Sequence, residues 1–364
     1  EDTMPTLGSD NGLTLADLTG KAYDDPMWDQ LLDQMSFEDM SLLVNLGGWQ
    51  TAQIDSVGKV ATSDCDGPAG VNNFITGTYG TPYPTEVLMA QTWNTDLLYD
   101  LGLAMGQEYA DVNNYGVYGP AMNTHRSAFA GRNFEYYSED GVLAGKLAAA
   151  QVSAMATKGA YNYIKHFALN DQETNRCAFL LTYSNEQAIR EIYLKPFELC
   201  IKNFDGTQIA VMSSFNWIGT VPACANEDTL TTILRNEWGF QGMVITDYDG
   251  SYGYMITDHC VRAGNDLMLG FSSQASNQLT NTESATLNNA LRTSCKNIMY
   301  TIANSGYYTN ATDDGGMSNM TKLFVTIDVV TVLLVVLCMA LVIVRYRKKH
   351  AKAAEVTPEE KTEE

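Results

Sequence analysis

Positive charge is scarce in this 364-residue chain: 22 Lys and Arg face 43 Asp and Glu, a formal net charge of −21. Nucleic acid is bound through clustered cations, so it is excluded as a principal partner, and a neutral ligand is easier to accommodate. Cysteine is sparse and scattered, at 65, 177, 200, 224, 260, 295 and 338. Without CxxC spacing or a His at zinc-finger distance these read as small buried residues, and no metal site is expected. A Gly-rich phosphate loop is also missing, so phosphate ligands find no cradle and no cofactor is expected. The chain opens on Glu1 without an initiator methionine or signal peptide, which reads as a processed or cut end with sequence upstream. Disorder is not the default reading either, since 45% of the residues are hydrophobic, and it is expected only of the acidic tail 351–364.

What is present first is one long apolar run. Residues 323–344 are interrupted only by Asp328 and are followed at once by Arg345, Arg347, Lys348 and Lys349. Such a stretch spans a hydrocarbon core of ~30 Å as one helix, with the basic flank on the cytoplasmic side. The expectation is a single-pass cell-membrane protein with its body extracellular, the lipid bilayer around 323–344, and a cytoplasmic tail over 345–364. The alternative is the core helix of a soluble protein. Residues 306–322, rich in Gly, Asn, Ser and Thr, read as a spacer, 1–26 as an interdomain linker, and 27–305 as the folded body.

Within that body short apolar runs alternate with amphipathic stretches. Strands are expected at 59–63, 117–122, 163–167, 208–213, 242–246 and 266–269. Helices are expected at 85–112, 138–158, 184–203, 226–238, 252–263 and 284–305, with Gly159, Gly239 and Gly264 as C-terminal stops. Strand then helix, repeated over about 250 residues, implies an α/β protein with a parallel sheet, most simply a (β/α)8 TIM-like barrel; an open doubly wound sheet is the runner-up.

In such a barrel the reacting groups gather at the carboxyl ends of the strands. Reading the polar residues after each run gives Asp66, then Asn123, His125, Arg126 and Arg132, then Lys165 and His166, then Phe215 and Asn216, then Asp247, Tyr248 and Asp249. Carboxylates, cations, amides and aromatics in one mouth suit the adjacent hydroxyls and apolar face of a sugar. Several have plainer readings. Asp66 in an Asp-Gly-Pro sequence can cap a turn, and Lys165-His166 can be a satisfied strand-end pair. Arg132 can brace Glu135, Glu139 or Asp140, and Arg176 can pair with Asp171 or Glu173. Asp247, directly behind Met243-Val244-Ile245-Thr246, is the strongest candidate for chemistry, with Asp249 its rival.

Five segments in order carry a family resemblance: Ala121-Met122-Asn123; Gly131-Arg132-Asn133-Phe134-Glu135 through Ser138-Glu139-Asp140; Lys165-His166-Phe167; Val211-Met212-Ser213; and Ile245-Thr246-Asp247. Over roughly residues 31–269 the chain resembles glycoside hydrolase family 3. The resemblance implies a retaining, exo-acting β-glycosidase of the β-glucosidase type, hydrolysing O-glycosidic bonds in carbohydrate catabolism through a covalent glycosyl-enzyme. It places Asp247 as nucleophile and Asp66, Arg132, Lys165, His166, Arg176, Phe215 and Tyr248 around the sugar, with Arg176 keeping Asp247 ionised. The family often has tyrosine at Phe215 and tryptophan at Tyr248. Ala-Leu-Asn-Asp after Phe167 differs from the Pro-Gly-His-Gly of the N-acetylglucosaminidase branch. In the β-glucosidase-like branch the acid/base is a glutamate on a second α/β sandwich domain. Asp29 to Met35 and Gly47-Gly48-Trp49-Gln50 resemble members with reversed domain order, which puts that domain upstream. A membrane-anchored sugar-binding protein without catalysis, or a scaffold, are the alternatives.

Overall fold

The structure is a computed structural model that describes residues 2–250, 252–271, 277–309 and 319–354. Ten strands are assigned among them: β1 Asp64–Asp66, β2 Asn72–Asn73, β3 Thr78–Tyr79, β4 Gly116–Tyr118, β5 Tyr161–Phe167, β6 Leu181–Thr182, β7 Ile209–Ser213, β8 Trp217–Ile218, β9 Val221–Pro222 and β10 Val244–Ile245. The main sheet has the order β10-β7-β5-β4-β1-β2-β3, and β6, β8 and β9 form a small separate sheet. From β1 through β4, β5 and β7 to β10 every pairing is parallel. Leu267 extends the series by a single parallel bridge to Ile245.

The parallel sheet is buried on both faces, and side-chain alternation shows it. Tyr161, Tyr163, Ala210, Met212 and Ile245 enter one apolar cluster, while Ile164, Ile209, Val211 and Val244 enter the other. The second cluster is covered by helices α4 Thr95–Asp111, α5 Gly141–Ala156 and α7 Lys195–Asn203, which follow α1 Met27–Leu32, α2 Phe37–Asn45, α3 Glu86–Ala90 and α6 Glu186–Ala188. The first is packed by α1, α2 and α9 Ala285–Ala303, which lies beyond α8 Thr257–Ala263. Leu15 and Leu18, in the stretch expected to be a linker, are buried in that cluster beside Trp28.

The backbone of 44–51 runs between the two ends of the parallel series. Gly47 N–H donates to Met268 O (3.0 Å), Met268 N–H to Val44 O (2.9 Å), and Asp64 N–H to Trp49 O (2.9 Å). A Cβ on Gly47 would stand 2.4 Å from Met268 O, so only glycine lets these chains approach. Eight regular strands are not assigned: the described residues give five parallel strands and the Leu267 bridge.

Several expected elements are redrawn. The apolar run 59–63 is not a strand, because the buried Lys59 ammonium draws the chain into a loop by donating to Thr51 Oγ1, Ala52 O and Val60 O at 2.7, 2.7 and 2.9 Å. The polar run Asp64–Asp66 is the strand instead. One helix over 85–112 becomes α3 and α4, since Asn94 Oδ1 caps the second by accepting from Asp96 and Leu97 N–H (3.0 and 3.1 Å). In 184–203, Pro196 lacks the N–H that a continuous helix needs, and a wider turn at Ile189–Tyr193 precedes α7. The helix expected at 252–263 starts only at Thr257, after Gly253 takes φ +83° and Tyr254 and Met255 turn inward. Gly159, Gly239 and Gly264 do take positive φ after their helices.

The chain divides into two compact units, Glu1–Thr312 and Asp313–Glu364. In the first, α10 Gly306–Thr309 belongs to the body rather than to a spacer: Tyr307 Oη accepts from Ser63 N–H (2.7 Å) and Tyr308 Oη from Val60 N–H (3.0 Å). The rest of the expected spacer lies partly outside the described residues, as does the tail beyond 354. The second unit contains helix α11 Asn319–Ala354, whose stretch Val325–Lys348 has a mean hydropathy of 3.1 and is long and apolar enough to cross a membrane.

Candidate active site

The mouth at the carboxyl ends of β1, β5, β7 and β10 brings most of the expected residues together. Asp247 follows β10 with one residue between, its carboxyl buried. Its Oδ1 accepts from Tyr248 N–H at 2.7 Å, which fixes the plane of the group. Its Oδ2 has no hydrogen-bond partner among the described residues. That oxygen faces Arg176 Nη1 at 3.6 Å and His166 Nε2 at 3.7 Å. Burial raises the Asp247 carboxyl above its ordinary value, opposed first by the Arg176 cation, then by the Tyr248 N–H, Lys165 and Arg132. The expected effect of Arg176 is therefore present but smaller than that of desolvation.

His166 is buried and neutral. Desolvation, reinforced by Arg132, Lys165 and Arg176, holds its imidazole well below the usual range, so its approach to Asp247 is a polar contact and not an ion pair. Asn123 fixes the backbone on both sides, donating from Nδ2 to His166 O (2.8 Å) and accepting His166 N–H (2.7 Å). Strict alternation would point Lys165 and His166 to opposite faces of β5. A register shift against β7 between Ile164 and Phe167 breaks the alternation, and both side chains reach acids of the site. Lys165 Nζ lies 3.3 Å from Glu135 Oε1.

Two glutamates absent from the expected binding set organise the cations. Glu135 Oε2 takes Arg132 Nε and Nη2 at 2.8 and 2.7 Å. Burial pushes the Glu135 carboxyl up, but Lys165 and Arg132 more than offset it, and it sits below its ordinary value. Glu173 Oε2 takes Arg176 Nε at 3.0 Å and lies 3.8 Å from Arg132 Nη1. Of the partners open in the sequence, Arg132 thus takes Glu135 and Arg176 takes Glu173, while Asp140 caps α5 through Val142 and Leu143 N–H. The same Arg132 Nη1 is 3.3 Å from His166 Nε2.

Aromatic rings complete the walls. Arg176 stacks on Phe215, its guanidinium carbon 4.5 Å from the ring centroid. On the other side Trp49 donates from Nε1 to Asp66 Oδ2 at 3.3 Å, and its ring lies 5.7 Å from Tyr248 and 4.9 Å from Phe74. Asp66 and Tyr248 are thus joined through Trp49, and among the described residues no direct polar contact ties Asp66 to Arg132 or Lys165. Asp249 is fully buried behind the mouth, its N–H on Leu269 O at 2.8 Å. Trp49, Glu173 and Tyr136, whose Oη lies 3.4 Å from His166 Nδ1, are the residues that strand-end reasoning missed. Only the three-residue spacing of Glu173 to Arg176 signalled one of them.

A mixed polar and aromatic site with a buried carboxylate oxygen that has no hydrogen-bond partner among the described residues is chemistry suited to a sugar. The comparisons with known proteins agree with it. The profile described as glycosyl hydrolase family 3 N terminal domain matches residues 51–292. Beta-glucosidase A of Butyrivibrio fibrisolvens is 40% identical over 250 residues, covering 66% of this chain and 29% of that protein. A beta-glucosidase of Rhizobium radiobacter is 35% identical over 245 residues, again 66% and 29%. Among solved structures, beta-glucosidase 3B from Thermotoga neapolitana in complex with glucose superposes with a TM-score of 0.66 at 31% identity, over 78% of this chain and 43% of that one. A beta-glucosidase from Paenibacillus barengoltzii reaches 0.72 at 30%, over 85% and 36%. The chain spans less than a third of the length of these curated relatives. With two thirds of its residues under one family profile, this chain belongs to glycoside hydrolase family 3.

Proposed function

We propose that this chain is the nucleophile-bearing half of a membrane-tethered, retaining, exo-acting β-glycosidase of the β-glucosidase type. The observation that carries the reading is the Asp247 carboxylate, with one oxygen pinned by a backbone N–H and the other buried, unpartnered among the described residues and aimed between Arg176 and His166. A buried oxygen without a partner costs stability, about 1–3 kcal/mol for a polar group. It is retained where a ligand uses it.

In the proposed reaction Asp247 Oδ2 attacks the anomeric carbon as the bond to the leaving oxygen breaks, and a glycosyl ester forms on Asp247. Water then attacks the same carbon and gives up a proton to the group that had protonated the leaving oxygen, the ester bond breaks, and the carboxylate returns. Arg176 offsets charge on Oδ2 before attack and after release. Neutral His166 and the glutamate-held cations Arg132 and Lys165 hold neighbouring hydroxyls, Asp66 those farthest from the scissile bond, and Phe215, Tyr248 and Trp49 the ring faces.

Glu135 and Glu173 are both engaged by cations, which makes them poor proton donors to a leaving group. The family resemblance puts the general acid on a glutamate of an upstream α/β sandwich domain of the same polypeptide, and relatives more than three times the length of the matched stretch leave room for such a domain. The sheet is read as a TIM-like barrel closed through 44–51. Val325–Lys348 is read as a single membrane span, with the body outside and the basic end inside.

The test is turnover of a chromogenic aryl β-glucoside by the complete polypeptide and by its Asp247→Asn form. Turnover lost in the variant supports the reading. Sugar binding without turnover by the wild type would replace it with a silent binding protein, and no binding would leave a scaffold.

A further inference from the structure

Behind the Phe215 and Tyr248 walls lie two cysteines that the chemistry above does not use. Cys224 sits in the helical turn Ala223–Ala225 after β9, and Cys260 in α8. The two elements pack on each other. Both side chains are fully buried in one apolar cluster with Phe215, Tyr254, Met255 and Met268, with Tyr248, Trp217 and Cys177 packed against it. The two thiols are neighbours in that cluster, and the Cys224 side chain, together with burial, holds the Cys260 thiol well above its ordinary value.

Their position in the chain gives the contact a consequence. Cys224 ends the excursion that begins with Phe215. Cys260 follows the loop that begins with Asp247 and Tyr248 and carries Tyr254, whose Oη donates to Phe215 O at 3.0 Å. A bond between the two sulfurs would fasten the aromatic wall to the segment that presents the nucleophile.

We propose that Cys224 and Cys260 form a disulfide, a reversible staple across the back of the sugar pocket. The oxidant is an external disulfide, either a low-molecular-weight thiol in its oxidised form or the disulfide of an oxidoreductase. One cysteine sulfur, its proton lost, attacks that disulfide and expels one thiol. The second then attacks the mixed disulfide and expels the other. Two S–H bonds are lost and one S–S bond is formed, and the external disulfide leaves as two thiols carrying both protons. The raised Cys260 thiol and the burial of both sulfurs make the folded pair slow, so closure belongs mainly to folding and to transient opening of α8. The bond would close a loop of about 36 residues, long enough to disfavour the unfolded chain appreciably. The proposal rests on the extracytoplasmic placement only for the source of the oxidant.

The experiment uses the complete polypeptide in detergent, as isolated and after equilibration with excess oxidised glutathione, alkylated in denaturant without reductant and digested. The expected result is a peptide pair joined through Cys224 and Cys260, lighter by two hydrogens and separated by dithiothreitol. Reduction should lower Tm by several degrees in the wild type and in Cys177→Ala, but not in the double variant Cys224→Ala, Cys260→Ala. Full alkylation of both cysteines under both conditions, or a link to Cys177 in place of either, would overturn the proposal. Mass analysis of the wild type keeps the test valid if a variant does not fold. Protease shaving of intact cells reports the membrane placement separately, so either idea can fail without the other.

Discussion

Asp64 and Asp247 are both buried aspartates of the same parallel sheet, and they differ in how their oxygens are spent. Asp64, at the start of β1, accepts from Tyr161 Oη and from Tyr163 Oη (2.7 Å). The cation acting on it is Lys59, whose ammonium makes three donations of its own. Burial raises Asp64 to about 6 and lowers Lys59 to about 7. A Cβ on Gly116 of β4 would stand 2.0 Å from Asp64 Oδ1, so even the neighbouring strand makes room for that carboxylate. Asp247 meets cations too, yet keeps one oxygen open. Burial and charge are common to both; hydrogen-bond satisfaction separates the structural acid from the one proposed to react.

The largest expected effects come from exchanging the fates of these two acids. In the complete polypeptide Asp247→Asn should lower turnover by at least ~10³-fold, with Tm unchanged or raised. Asp64→Ala should instead cost ~3–5 kcal/mol in denaturant unfolding, because two buried tyrosine hydroxyls lose their acceptor and buried Lys59 loses the negative charge near it. An Asp247→Asn protein as unstable as Asp64→Ala would dissolve the distinction.

A finer break concerns the cation. Arg176→Met removes the charge that most strongly opposes the effect of burial on Asp247. The Asp247 carboxyl should then rise further, and the acid limb of the kcat/KM profile should move to higher pH, with a loss of ~10- to 100-fold near neutrality. An unmoved limb would mean that Arg176 acts on binding alone.

If the acid/base group sits on an upstream domain, as proposed, residues 1–364 alone should hydrolyse aryl glucosides ~10²- to 10⁴-fold more slowly than the complete polypeptide. The deficit should be smallest for leaving groups that need no protonation. Equal rates for both forms would place the acid within this chain.

The smallest effect tests an intermediate case. Glu86 is buried, its Oε1 lacks a partner among the described residues, and burial pushes its carboxyl up to about 8 from an ordinary 4.5. A raised carboxyl binds its proton more tightly in the folded state, so its stabilisation is complete below about 4.5 and is lost as pH rises toward 8. Glu86→Gln should therefore match the wild type near pH 4.5 and exceed it at pH 8 by on the order of 1–3 kcal/mol in thermal or urea unfolding. A constant difference across that window would refute the assignment.

Strand ends were legible where apolar runs stop at a polar residue: Lys165, His166 and Asp247 follow this rule, and so does the α/β alternation itself. The rule failed at β1, because a strand that carries Asp64 and Asp66 on one face has no apolar signature; tyrosines on β5 and not hydrophobicity make the burial of Asp64 tolerable. It also missed Trp49, which belongs to the irregular segment between the two ends of the parallel series and reaches the mouth with φ +54°. Glu135 was visible only as a brace for Arg132, since nothing in its sequence neighbourhood indicates Lys165, far along the chain. Turns and helix breaks depend on single groups such as Asn94 and Pro196, which periodicity averages away.

As the proposed nucleophile, Asp247 Oδ2 is the atom that would bond to the anomeric carbon. The direct measurement is mass analysis of the complete polypeptide after treatment with a 2-deoxy-2-fluoro-β-glucoside bearing a dinitrophenolate leaving group. The expected result is one fluorosugar ester, in the peptide containing Asp247, absent from Asp247→Asn. An adduct on Asp249, Glu135 or Glu173 would contradict it.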